Sequence, residues 1–278
     1  MRRVVIAAAF VTSLGACTYL YGLDDFEGTN DNGSDGGDAS TSDGTTGSDV
    51  SSGGDAALSG ADAGDASSVV DCANGVVAHW PMDEGTGKDV RDECPSHLDG
   101  VLGGDDGGAT WGKRGNSNCV EISGNAFVFI GTRAQLAFDG PFTIAGFFRS
   151  SSKPEGYASL YWNFYGDQKI GVEVTLSYGG DLYAQIGIGS ANVYAGFQAP
   201  ANGVWTHLAV VVVPNDRLET YQNGKLVGTT STSGKMMPFI GETRFGATYG
   251  TKWVGAIDDV IVYSRALSVP EIAALAAR

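Results

Sequence analysis

From residue 76 onward, apolar and polar residues alternate in short runs broken by Gly, Asn, Asp and Pro. A period of two puts one set of side chains on each face of a strand. Residues 76–80, 126–130, 142–149, 171–176, 182–188 and 205–213 read as strands in this way, as do 219–222, 225–229, 243–246 and 254–263. Many short strands with regular turn signals predict an all-β sandwich. The clearest hairpin is Tyr221-Gln222-Asn223-Gly224-Lys225-Leu226, where Asn-Gly supplies the positive φ angles of a type I′ turn. One helix is predicted, at the end. Ser268-Val269-Pro270-Glu271 reads as a capping box with Pro in the first turn, ahead of Ile272-Ala273-Ala274-Leu275.

The first 71 residues have a different texture. Arg2-Arg3 precedes an apolar run of about ten residues, 4–13, too short to span a bilayer. Leu14-Gly15-Ala16-Cys17 follows and resembles the bacterial lipobox. The resemblance implies a signal peptide over 1–16, removed on export, and a Cys17 that carries acyl chains as the mature N-terminus. Several chains on one residue exceed the two-signal threshold for stable anchoring. Thr18 stands where an Asp would resemble an inner-membrane retention signal, which favours an outer-membrane location in the cell envelope.

Charge separates the same two regions. The 278-residue chain has 17 basic and 32 acidic residues, a net charge of −15. Between Thr18 and Asp71 there is no Lys or Arg, and 12 Asp or Glu. That Gly-, Ser- and Asp-rich stretch lacks the apolar surface to offset ordering entropy, so 17–71 is expected to be a disordered, self-repelling tether. No basic stripe points to nucleic acid. Of four cysteines, Cys17 belongs to the lipid, and Cys72, Cys94 and Cys119 lie in an exported chain where disulfides persist. Three thiols allow one internal bridge. Cys94–Cys119 is the first expectation, because both flank predicted strands; Cys72–Cys94 and Cys72–Cys119 are the alternatives. No Cys-x-x-Cys or His-x₃-His spacing suggests zinc.

The motifs in 72–278 then fall into a known order. Val77-Ala78-His79-Trp80-Pro81-Met82-Asp83-Glu84-Gly85 opens the series, followed by Asp92 and Asp99-Gly100-Val101-Leu102. Phe142-Thr143-Ile144-Ala145-Gly146-Phe147, Trp205-Thr206-His207-Leu208 and Tyr221-Gln222-Asn223-Gly224 come next. Gly255-Ala256-Ile257-Asp258-Asp259-Val260, with Arg265-Ala266-Leu267-Ser268, is the most specific segment. Together these resemble laminin-G-like domains of the concanavalin A-like lectin/glucanase superfamily, over essentially all of 72–278. The resemblance implies a two-sheet antiparallel jelly roll. It also implies one structural Ca²⁺ near the terminal strands, with Glu84, Asp92 and Asp259 as ligands and Asp258 as an alternate. Here Glu93-Cys94-Pro95-Ser96 replaces the family's Ser-Gly-Asn-Gly-like turn, so Pro95 and a disulfide at Cys94 offer another staple for that loop.

For ligand binding, the densest aromatic cluster is Tyr157, Tyr161, Trp162, Phe164 and Tyr165. Sugar-binding sandwiches stack pyranose faces on exposed rings, which makes Tyr157, Tyr161 and Trp162 the candidate contacts. Trp80, Trp205 and Trp253 are expected in the core, and Trp111 in a loop. Catalytic signals are lacking: Glu173 stands alone in its strand, and no Gly-x-Ser-x-Gly or His-Glu-x-x-His occurs. The sequence therefore predicts a lipid-anchored, monomeric binding module for carbohydrate. An envelope protein as ligand, or a purely structural role, is the alternative.

Overall fold

The computed structural model describes residues 70–104, 108–154, 156–246 and 253–278. The expected signal peptide, Cys17 and nearly all of the expected tether lie outside the described residues.

Strand β1 (Val76–Trp80) is followed by β2 (Asp89–Val90), β3 (Gly100–Gly103), β4 (Ala109–Arg114), β5 (Ser117–Ile122) and β6 (Phe127–Thr132). The middle of the domain holds β7 (Phe142–Ser150), β8 (Ala158–Tyr165), β9 (Ile170–Leu176), β10 (Leu182–Ile188) and β11 (Ala191–Gly196). Then come β12 (Thr206–Val213), β13 (Arg217–Gln222), β14 (Lys225–Ser231), β15 (Glu242–Phe245) and β16 (Gly255–Tyr263), and the helix α1 (Val269–Ala276). The strands form two sheets. Sheet I has the order β14-β13-β12-β7-β16-β5-β4, with β1 also paired to β16; sheet II has the order β11-β10-β9-β8-β15-β6-β3-β2. Every strand pairing is antiparallel. This is the all-β, two-sheet sandwich with a short C-terminal helix that the alternation predicts.

The core lies between the sheets, built from alternate residues of each strand. Trp80 meets Phe245 edge-on at 5.2 Å, and its indole N–H donates to the Leu98 carbonyl at 2.8 Å, so its one polar atom is satisfied in a fully buried place. On one side of the sandwich the edges are tied: Thr230 Oγ1 donates to the Tyr194 carbonyl at 2.7 Å, and Thr220 Oγ1 to that of Gly196 at 2.6 Å. Such ties cover edges that would otherwise recruit another strand.

The two outer faces differ. On sheet I, Ala145, Ala209, Val211, Tyr221, Ile261 and Tyr263 form a second apolar cluster with Leu267 and the fully buried Ile272 of α1. The helix starts as its sequence predicts, with the Ser268 N–H donating to Glu271 Oε2 at 2.7 Å. The β13–β14 turn beneath it holds Asn223 and Gly224 at φ 49° and 78°. A Cβ on Gly224 would lie 3.1 Å from the Ala273 backbone, so glycine serves both the turn and the helix contact. On sheet II, no helix covers the outer face among the described residues.

Two expectations need correction here. The disulfide joins Cys72 to Cys94, with Cα atoms 5.5 Å apart, not Cys94 to Cys119. Val120 and Ile122 of β5 point into the core, so alternation turns Cys119 to the outer face of sheet I, where its thiol is buried and free. Cys94 instead sits in the loop after β2, next to the start of β1. Trp111, expected in a loop, is in β4, half-buried, with its indole N–H on the Gly87 carbonyl at 2.9 Å.

Candidate ligand-binding face

The register of sheet II lines up one residue from each of its eight strands on the outer face. The row runs Tyr194, Gln185, Glu173, Trp162, Arg244, Phe129, Val101, Asp89, each opposite the next. Adjacent strands are about 4.8 Å apart, so the row spans roughly 34 Å. In the strands that flank these positions, Ile186, Val172, Val174, Phe245, Val128 and Leu102 face the core, which puts the row on the outer face, with Tyr194 half exposed and Gln185 buried between its neighbours. A β-bulge at Leu160 sets the phase of β8: Ser159 pairs with Thr175 and Tyr161 with Val174, so both Leu160 and Tyr161 turn inward.

At the centre, the Glu173 carboxylate accepts from the Ser159 hydroxyl and from Thr175 Oγ1 at 2.8 Å. Burial holds its pKa above the ordinary carboxylate range, against the pull of those two hydroxyls. Beside it, the Arg244 guanidinium lies over the rings of Phe127 (4.6 Å), Phe129 (5.5 Å) and Trp162 (5.9 Å), with Glu242 at 2.5 Å. On the other side are four tyrosines. Tyr183 and Tyr194 meet edge-on at 5.7 Å, and Tyr157 and Tyr178 at 5.8 Å. Tyr157, Tyr178 and Tyr194 are 50%, 64% and 48% exposed. Burial, with Glu173 and Tyr157 nearby, pushes the Tyr183 phenol up to about 12, so it stays a hydrogen-bond donor at neutral pH. Rings that are wet on one face, beside amide, acid and guanidinium groups, can stack on and hydrogen-bond a polyhydroxylated ligand.

Sheet I carries a different polar cluster, beneath α1. A bulge at Asp258–Asp259, with Asp259 at φ 51°, puts both carboxylates on the outer face. Asp258 pairs with Arg114, and Asp259 with His79 Nε2 at 2.7 Å and Arg278 at 3.2 Å. Burial pushes Asp258 up to about 7 against the Arg114 contact. Burial also opposes ionisation of Asp259, but the His79 hydrogen bond and Arg278 overcome it and hold its carboxyl low. Burial depresses His207, which is 2% exposed, to about 4, and pushes the Cys119 thiol up to about 12, so that thiol is unreactive.

A profile of laminin-G-like domains, described as the concanavalin A-like lectin/glucanases superfamily, matches residues 123–273. The chain belongs to the concanavalin A-like lectin/glucanase superfamily. No curated protein matches it. Among solved structures, this superfamily member resembles the binding domain of Paraclostridial Mosquitocidal Protein 1 (TM-score 0.61, 14% identity), over 73% of this chain and 52% of that one. The binding domain of botulinum neurotoxin DC, solved with SialylT and with rat synaptotagmin II, matches at TM-score 0.58 and 12% identity, over 73% and 51%. The chain thus spans about half the length of these neighbours, and at such identity the likeness is one of fold.

The Ca²⁺ that the superfamily implies does not fit the residues present. A hard cation needs several free oxygens at one point. Asp92 Oδ1 accepts from the N–H groups of His79 (2.9 Å) and Cys94 (3.0 Å), and Oδ2 from Leu98 N–H (2.8 Å) and the Ser96 hydroxyl (2.6 Å). Its carboxylate is thus filled by the loop it organises. Asp259 is held by His79 and Arg278. Glu84 Oε1 accepts from the Arg91 N–H at 2.6 Å, and its Oε2, buried without a partner among the described residues, stands alone. Among the described residues, no three His, Cys, Asp or Glu side chains are grouped to hold a metal. The Cys72–Cys94 bridge and the Asp92 hydrogen bonds staple this loop instead.

Of the three candidate aromatics, Tyr157 and Trp162 are on the open face. Tyr161 is not: it is fully buried, 5.6 Å from Phe245, and leaves the candidate set. Trp205, expected in the core, is half-buried under the Arg149 guanidinium at 5.1 Å. Sequence reasoning weighed Glu173 only as a catalytic acid and passed over Gln185, Tyr183, Tyr194 and Arg244. The readable signal was a lone Glu between two valines in a strand, which marks a carboxylate on the face opposite the core.

Proposed function

We propose that this chain is a lipid-anchored envelope protein that presents a carbohydrate-binding module, with the ligand on the outer face of sheet II. The observation that carries the reading is the register row that sets Trp162, Glu173, Gln185, Tyr194 and Arg244 side by side on the uncovered face. A row of this length suits an extended, polyhydroxylated chain: rings supply stacking surface, and the acid, amide and guanidinium supply donors and acceptors to hydroxyls. The binding domain of botulinum neurotoxin DC, about half of which this chain matches, was solved with SialylT, and the proposed ligand class follows that likeness. Hydrolysis would need two carboxylates about 5–10 Å apart across a scissile bond. Within the row the other carboxylate is Asp89, five strands from Glu173 and roughly 24 Å away, and the nearer Glu242 is held by Arg244, so the reading is one of binding. Cys17 and the acidic tether hold the module at the membrane in this reading, with export removing residues 1–16.

The test is a glycan array probed with the mature chain carrying Cys17→Ser, so that no lipid contributes. Binding to a defined glycan class is expected. Tyr157→Ala and Trp162→Ala should each weaken it at least tenfold, about 1.4 kcal/mol, while the domain still unfolds cooperatively within a few degrees of wild type. No binding to any glycan, or binding indifferent to both variants, rejects the reading. Metabolic labelling with palmitate, lost in Cys17→Ser, tests the anchor.

A further inference from the structure

We propose that a cavity at the rim of the open face is a subsite for one terminal, uncharged sugar ring, so that the module recognises the ends of glycan chains. This rests on the carbohydrate reading above. The cavity is bounded by the loop after β7, the β9–β10 turn and the segment before β12. Its volume is about 140 Å³, and Ser152, Lys153, Gly179, Gly180, Asp181 and Asn202 form its polar wall. A water needs about 10–15 Å³ on the same measure, so the space exceeds isolated hydration and suits one ring.

The lining has a chemical direction. Leu176 and Pro200 give an apolar floor, matched to the C–H face of a pyranose. Lys153 Nζ donates to the Gly179 carbonyl at 3.0 Å, which fixes the ammonium on the wall and uses one of its three donors. Gly180 has φ +90°, and a Cβ there would lie 3.0 Å from Lys153 Cε, so the turn keeps the space that this lysine fills. Asp181, on the same turn, supplies an acceptor of opposite charge, and Asn202 supplies both kinds of partner. An anion would meet the Asp181 carboxylate and a cation the Lys153 ammonium. Neutral hydroxyls, which donate and accept, meet neither penalty. Tyr178 precedes Gly179, and its ring pairs with Tyr157, so the exposed aromatic pair joins this turn to the row that begins at Tyr194 and Gln185. The floor is closed by buried Leu176, which lets a chain enter but not pass through.

The experiment is amide-resolved NMR titration of the mature Cys17→Ser chain with glucose, galactose, mannose and N-acetylglucosamine, each to tens of millimolar. At least one should shift the amides of Lys153, Gly179, Gly180, Asp181 and Asn202, and leave those of Trp162 and Arg244 in place. Lys153→Met and Asp181→Asn, both at exposed positions, should weaken that sugar at least fivefold. Trp162→Ala should leave it unchanged while weakening an oligosaccharide found on the array. Shifts confined to the open face, or no shift with any of the four sugars, overturn the proposal. If array glycans still bind through Trp162 in that event, the open-face reading stands and only the subsite falls. If they do not bind at all, both fall.

Discussion

The two sheets of this sandwich share a core and part company on their outer faces. Sheet I spends its outer face on the fold: the helix, the chain ends and the pairs Asp259–His79, Asp259–Arg278 and Asp258–Arg114 are packed onto it. Sheet II leaves Tyr157, Tyr178 and Tyr194 about half exposed and sets Glu173, whose pKa burial raises, beside them. Acids on the first face pair with Arg and His side chains beneath the chain's end, and the second keeps aromatic rings in water around a half-hidden carboxyl. The difference separates stability from recognition: substitutions on the first face should unfold the domain, and substitutions on the second should silence it.

The largest effect should come from Asp92→Ala. The change leaves the buried N–H groups of His79, Cys94 and Leu98 without their acceptor. At ~1–3 kcal/mol for each of the three orphaned groups, a loss of at least about 3 kcal/mol is expected. Urea unfolding measures it, and a loss under 1 kcal/mol would show that the loop does not depend on this carboxylate. By contrast, Trp162→Ala on the open face should cost under about 1 kcal/mol.

The disulfide follows. The Cys72–Cys94 bridge closes a loop with a sequence separation of 22, worth about 3 kcal/mol through the unfolded state. Cys94→Ser, or a reducing buffer, should lower stability by that amount, whereas Cys119→Ser should not remove any disulfide. Mass mapping under non-reducing conditions settles the pairing; a Cys94–Cys119 peptide would refute it.

His207 tests the covered face by pH. Its folded pKa is about 4, below the ordinary 6.5, because burial disfavours the charged form. The stability it contributes is therefore complete above pH 6.5 and is lost as pH falls toward 4, by roughly 3 kcal/mol in all. Asp258, raised to about 7, titrates in the same window with the opposite sign and is common to both proteins, so the check is the difference. His207→Phe minus wild type should rise in melting temperature as pH falls from 6.5 toward 4. Addition of EDTA at neutral pH should do nothing to either protein, since Asp92 and Asp259 are already held by hydrogen bonds and ion pairs and no three acids converge among the described residues. A drop of several degrees in EDTA would restore the metal.

Much of this was legible in the sequence, and for a physical reason. Alternation is local, so strands such as Leu182–Ile188, the Asn223-Gly224 turn and the Ser268–Glu271 cap could be read directly. Facing could not, wherever a bulge intervened. One extra residue at Leu160 sends Tyr161 into the core, and another at Asp258–Asp259 puts two carboxylates on one face. Register across strands is non-local, so nothing in the sequence aligned Glu173 with Trp162 and Gln185. The cysteines failed for the same reason: Cys119 and Cys94 are both near strands, but alternation points Cys119 away.

The smallest effect, and the sharpest, concerns Glu173. Its folded pKa lies above the ordinary carboxylate value because burial outweighs the hydroxyls of Ser159 and Thr175. The fold therefore prefers the protonated acid. The stability this group lends is fully present below the unfolded pKa and is lost as pH rises through the raised folded value, the reverse of His207. Glu173→Gln keeps the size and can still accept from both hydroxyls, but cannot ionise. The difference in melting temperature, variant minus wild type, should be near zero in acid and become positive as pH rises through the raised folded value. Asp258 is also raised, but it is common to both proteins and cancels in the difference. If ligand hydroxyls use the ionised form, glycan affinity should move the other way. Wild type would bind more tightly as pH rises through that window, and Glu173→Gln would bind weakly at every pH. Stability and affinity would then change in opposite directions at one residue, as expected of a carboxyl kept on the open face for a ligand. A variant that loses stability and keeps its affinity would assign Glu173 to the fold, and the contrast between the two faces would fail at its central residue.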